Sequence, residues 1–148
     1  LNRRIRAERQ EATAVALGEA LAKRGELKAS DGLGHLAGSA YPTLNKEGMR
    51  LLSLWMQART AQEARELLQH EFAQVRLMAG RRLIHLKDKR SVEALALLKD
   101  PVQQVREGLH GELIRIAGKD LANPGKSKAE QEAAFRVWVD WWKQQAVE

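Results

Sequence analysis

The sequence predicts an all-α protein, an α-solenoid of about four helical hairpins and about eight helices, and three observations carry that prediction. First, Glu63–Leu86 and Glu93–Ile116 match at a spacing of 30 residues, with nine of 24 paired positions identical: Glu63/Glu93, Ala64/Ala94, Leu67/Leu97, Leu68/Leu98, Gln74/Gln104, Val75/Val105, Arg76/Arg106, Leu83/Leu113 and Ile84/Ile114. Chance gives roughly one or two such matches, so this is an internal repeat of a length suited to a two-helix unit. Second, apolar residues recur at spacings of three and four, and nowhere do Val, Ile and aromatic residues alternate with polar ones over a strand's length. Third, helix start and stop signals follow one another at short intervals.

A first helix runs from about Asn2 to Arg24 and is ended by Gly25. A short one follows from Ser30 to about Gly38, and Ser39 to Thr43, with Pro42, makes a turn. The third, about Thr43 to Gln57, carries Leu44, Met49, Leu52 and Met56. Thr60 and Glu63 then form a capping box, in which hydroxyl and carboxylate each satisfy a free backbone amide at the start of helix four. Helix five, Phe72 to Leu86, aligns Phe72, Val75, Ala79, Leu83 and Leu86 in one apolar stripe. Ser91 opens helix six. Asp100-Pro101 reads as an N-cap followed by proline at the first helical position, opening a helix seven that aligns Val102, Val105, Leu109, Leu113 and Ile116. Gly118 stops it, Lys119 to Lys126 form a loop, and Ser127 with Glu130 caps the last helix, to about Ala146.

These helices pair into units of approximately 1–38, 39–69, 70–99 and 100–146 in one repeat domain. Since the chain starts at Leu1 and turns helical almost at once, it reads as part of a longer protein. No apolar run approaches the roughly 20 residues that span a bilayer. With 0 Cys there is neither a disulfide framework nor thiol chemistry, and the compartment is left open. The formal charge of +6 permits an anionic partner, and Arg3, Arg4, Arg6 and Arg9 face only Glu8 in the first ten residues.

The pairing of Ala94, Leu97, Leu98, Asp100-Pro101 and Val105-Arg106 with Leu67, Leu68, Val75 and Arg76 resembles the HEAT repeat, in the short bacterial form also seen in phycobilisome-lyase-type repeats. The resemblance implies a ladder of hydrogen bonds between units, from the arginine of the second helix to the aspartate of the turn. Here the ladder is interrupted, because His70 and Ala40 occupy the places of Asp100 in earlier units. It also implies a right-handed α-solenoid whose second helices line a concave inner face. Weaker echoes of the unit appear at Lys46, Glu47, Gly48 and Leu54, and around Val15 and Gly18.

Motifs for chemistry are poor. Gly125-Lys126-Ser127 ends like a phosphate-binding loop, but Asp120 stands where that loop needs glycine and no strand precedes it. His35, His70, His85 and His110 lack the spacing of a helical metal site. No catalytic residue, cofactor, metal or small-molecule substrate is therefore expected. The activity of HEAT-like alkylpurine DNA glycosylases does not carry over, because the positions 30 and 60 residues after Trp55 hold His85 and Arg115 in place of a carboxylate. A phycobilisome-type lyase role has no residue to support it.

Four tryptophans remain. Phe135, Trp138, Val139, Trp142 and Ala146 form one stripe with Trp141 at its edge, expected to act as a C-terminal cap over the apolar face a further repeat would cover. Helical periodicity turns Arg81 and His85 away from the buried side of helix five, and the HEAT resemblance implies that the row Trp55, Arg81, His85 and Arg115 lies on the inner wall. Large aromatic and arginine side chains there suit the docking of a protein partner. The expected function is thus a non-catalytic scaffold. The alternative is a basic module that contacts nucleic-acid phosphates through Arg3, Arg4, Arg6 and Arg9, without reading bases.

Overall fold

The computed structural model describes residues 2–146; the side chains of Asn2, Arg4, Ile5 and Ala146 lie outside the described residues. Among the described residues the chain is helical, without a strand: α1 (Asn2–Arg24), α2 (Ala29–Ala37), α3 (Pro42–Gln57), α4 (Ala61–Leu67), α5 (Ala73–Leu86), a 3-10 helix (Ser91–Lys99), α6 (Gln103–Ala117) and α7 (Lys128–Ala146). Contacts divide it into two compact units, the first ending at Arg59 and the second beginning at Thr60.

In the first unit α1, α2 and α3 all pack on one another. Their core is Ala29, Leu33, Ala37, Leu51, Leu52, Trp55 and Met56. Fully burying one such leucine contributes about 2 kcal/mol relative to leaving it exposed. The crossing of α2 and α3 is close enough to exclude a side chain: a Cβ on Gly48 would lie 2.4 Å from the backbone of Leu36 and Ala37. Nearby, the Asn45 amide donates to Ala37 O at 2.7 Å and to Ser39 O at 3.3 Å, fixing the intervening turn. Gly25, at φ +68°, ends α1 as its sequence suggests, because glycine enters the left-handed region without steric cost.

The second unit is organised around the 3-10 helix, which packs on α5, α6, α7 and α4. Its nine residues keep a period of three: Ser91, Ala94 and Leu97 are buried along one edge, Leu95 and Leu98 are buried beside half-buried Val92 along a second, and Glu93, Ala96 and Lys99 are exposed along the third. At three residues per turn, side chains three apart eclipse, so each edge stays straight. Ser91 Oγ donates to Leu83 O at 2.5 Å, tying this helix to α5. α4 packs on α5, and α5 packs on α6. Thr60 with Glu63 forms the expected capping box, and Ser127 with Glu130 forms its two reciprocal bonds at 3.1 and 3.3 Å.

Three elements differ from the sequence reading. Helix six is a 3-10 helix over Ser91–Lys99, so its burial repeats every three residues. Pro42 lies inside α3 near its first position, where its missing N–H costs nothing, rather than in the turn before it. Asp100 is not the N-cap of α6. That place falls to Val102, in extended conformation, while Asp100 Oδ1 accepts the Val102 N–H at 2.9 Å and its carboxylate is taken up by Arg76.

Candidate partner-binding surface

The best-defined polar site of the second unit grows from the repeat itself. Arg76 donates from Nε to Asp100 Oδ2 at 2.9 Å and from Nη2 to Asp100 Oδ1 at 3.1 Å, a two-pronged pair whose side chains are 14% and 4% exposed. Its Nη1 donates to His70 O and Glu71 O at 2.9 and 3.0 Å. Thirty residues on, Arg106 Nη1 donates to Asp100 O and Pro101 O at 2.7 and 3.2 Å, the equivalent carbonyls. Arg106 Nε is buried with no hydrogen-bond partner, so the edge that Asp100 fills for Arg76 is unanswered at Nε one step later. His70, standing where Asp100 stands in the next repeat, takes over half of its task. Its Nδ1 accepts the Phe72 N–H at 3.0 Å, as Asp100 accepts that of Val102.

The four expected inner-wall residues fare differently. Trp55 is 2% exposed and belongs to the core of the first unit, with the Arg59 guanidinium 4.6 Å above its ring. Arg59 also donates from Nε to Trp55 O at 3.3 Å and from Nη1 to Gly25 O. Trp55 therefore offers no free aromatic face, because α1 and α2 pack on α3. The indole only touches a shallow cleft whose other walls include Glu19, Lys23, Arg50 and Leu54.

Arg81 and His85 sit on α5, Arg115 on α6, and the two helices pack together. His85 and Arg115 are exposed, each in the last turn of its helix. Arg81 is half-buried, and its Nε has no hydrogen-bond partner. Arg115 pairs with Glu112 one turn back, and the hydrogen bond to that carboxylate, followed by its charge, holds the guanidinium still more firmly protonated. Of the alternative basic cluster, Arg3, Arg6 and Arg9 are exposed on α1, and the side chain of Arg4 is outside the described residues.

The tryptophans of α7 bury in a graded way. Trp138 is fully enclosed and donates from Nε1 to Ala122 O at 2.7 Å, anchoring the loop after α6. Its ring meets His110 and Trp141 edge-on, at centroid distances of 6.1 and 5.6 Å, and His110 Nε2 is 2.8 Å from Asp120 Oδ1. Trp142 is buried, whereas Trp141 stays half-exposed. On the same helix Glu132 meets Lys99 at 3.2 Å, and the Lys99 ammonium lies 3.9 Å from the Phe135 ring centre. The hydrogen bond from Lys99, with a second from Arg136, lowers the Glu132 carboxyl below its ordinary range.

Among the described residues no cluster of metal-ligating side chains occurs, and no helix is long and apolar enough to cross a membrane. No protein-family model matches the chain, and no curated protein matches it in sequence.

Proposed function

We propose that the protein is a non-catalytic HEAT-like scaffold, a right-handed α-solenoid closed by its tryptophan-rich last helix, that binds a protein partner on the surface formed by its second helices. The observation that carries this reading is the repeated capture of turn carbonyls by Arg76 and Arg106. Equivalent arginines gripping equivalent carbonyls 30 residues apart support a repeated unit, and the Arg76–Asp100 pair joins one unit to the next, as in an array whose repeats contact their neighbours. The packing of α4 on the 3-10 helix and of α5 on α6 agrees with two successive hairpins laid side by side.

Arg81, His85 and Arg115 then mark the binding surface, while Trp55 is confined to the core of the first unit. Immobilised protein should capture a defined partner that the double variant Arg81→Ala/Arg115→Ala captures at least fivefold less, while both melt alike. Equal capture would discard this surface. The second reading, phosphate contacts from Arg3, Arg6 and Arg9, is favoured by their common exposure on α1. Binding to duplex DNA that fades steeply with added salt would support it.

A further inference from the structure

The second unit contains a cleft of about 400 Å³ walled by Ile116 of α6 and by Trp141, Trp142 and Gln145 of α7, with Lys87, Asp88 and Lys89 along its edge. Its floor is apolar and aromatic. Its charged groups are all on exposed residues. Asp88 is already engaged: its Oδ1 accepts the Lys89 N–H at 2.7 Å. Lys87, Lys89 and the adjacent Arg90 form no ion pair among the described residues. The edge is therefore cationic, beside a half-exposed indole.

The backbone supplies an independent pointer. Lys87 caps α5 at φ +51°, the one non-glycine residue with positive φ among the described residues, whereas α6 is capped by Gly118 at φ +77°. A left-handed lysine is strained where glycine is not, and such strain is commonly kept where a side chain is needed. Here the strained residue places one of the cleft's two ammonium groups.

We infer that this cleft docks an acidic segment of a partner protein, with one large apolar side chain seated between Ile116, Trp141 and Trp142 and flanking carboxylates paired with Lys87 and Lys89. A small organic ligand fits less well, because such sites orient their ligand with polar groups set within the pocket. In this cleft the charged groups stand at the edge, where they suit charges carried on either side of an anchoring side chain. The inference rests on the cleft alone and does not depend on the row Arg81, His85 and Arg115.

The test is fluorescence anisotropy with a labelled peptide that has a central leucine flanked by two glutamates on each side, titrated with the full chain at low salt. Binding is expected, with quenching of tryptophan emission. The double variant Lys87→Asn/Lys89→Gln should weaken it roughly tenfold, since each exposed charge pair contributes modestly. Asparagine is chosen because it tolerates the left-handed conformation. Trp141→Ala should weaken binding with the fold intact by circular dichroism, and replacing the peptide's leucine by alanine should weaken it equally. Three results would each overturn the inference: no binding at millimolar protein, equal binding of the alanine peptide, or tighter binding of labelled oligothymidylate than of the peptide.

Discussion

Replacing Asp100 is the most searching perturbation of the second unit. Its carboxylate accepts two bonds from Arg76, at 2.9 and 3.1 Å, and one from the Val102 N–H at 2.9 Å. Asp100→Ala strips all three from a place where the Asp100 side chain is 4% and the Arg76 side chain 14% exposed. Leaving one member of a buried ion pair without its partner costs several kcal/mol; the partial exposure of Arg76 puts this one at the low end, about 3 kcal/mol. The orphaned Val102 amide adds about 1 kcal/mol. Asp100→Asn keeps an oxygen for Val102 but turns an amide toward Arg76 Nε, so it should cost about 2 kcal/mol. Urea unfolding followed by tryptophan emission reads this unit well, since Trp138, Trp141 and Trp142 all lie in it. A double-mutant cycle with Arg76→Met should give a coupling of about 1.5 kcal/mol or more. Coupling below about 0.5 kcal/mol would refute the reasoning, because the pair would then be no stronger than a surface contact.

Three further outcomes follow from the same contacts. Gly48→Ala should destabilise the first unit by more than about 2 kcal/mol, since its Cβ would meet Leu36 and Ala37 backbone at 2.4 Å, whereas Gly111→Ala, with nothing within 4 Å, should stabilise α6 by about 0.5–1 kcal/mol; thermal melts give both signs. Trp138→Phe should cost about 1–2 kcal/mol through loss of the 2.7 Å bond to Ala122 O and the larger ring, read by urea titration. Glu132→Gln tests a group whose folded carboxyl is lowered by hydrogen bonds from Lys99 and Arg136. A lowered carboxyl adds stability above the ordinary carboxylate range and loses it as the pH falls through its own, so melts of the two proteins should differ slightly at neutral pH and coincide in strong acid.

Most helices were legible because apolar spacing, glycine stops and the two capping boxes act locally, whereas the starts of α3 and α6 fell elsewhere than Pro42 and Asp100 indicated. The pairing of Arg76 with Asp100 was legible only through the family resemblance, since His70 stands at the equivalent place one repeat earlier. Trp55 was not, because stepping 30 residues from His85 and Arg115 assumes that α3 turns the same side outward as α5 and α6. In fact Leu51, Leu52, Trp55 and Met56 all point inward beneath neighbouring helices of their unit, and that cover is a non-local fact. The 3-10 geometry was not legible, because the apolar positions Ala94, Leu95 and Leu98 after Ser91 fit an α-helical stripe as well as a three-residue period. The cleft beside Trp141 had no signal in the sequence, since it joins Lys87 to Trp142 across more than 50 residues of chain.

The triangular cross-section of Ser91–Lys99 also constrains how this segment tolerates insertion and deletion. Gaining or losing one residue rotates all that follows by about 120°, which drives the Glu93, Ala96 and Lys99 edge into the protein and a leucine edge out. Removing a whole triplet preserves which side faces inward and shortens the rod by only about 6 Å. Length change that keeps this protein folded is therefore counted in threes along these nine residues.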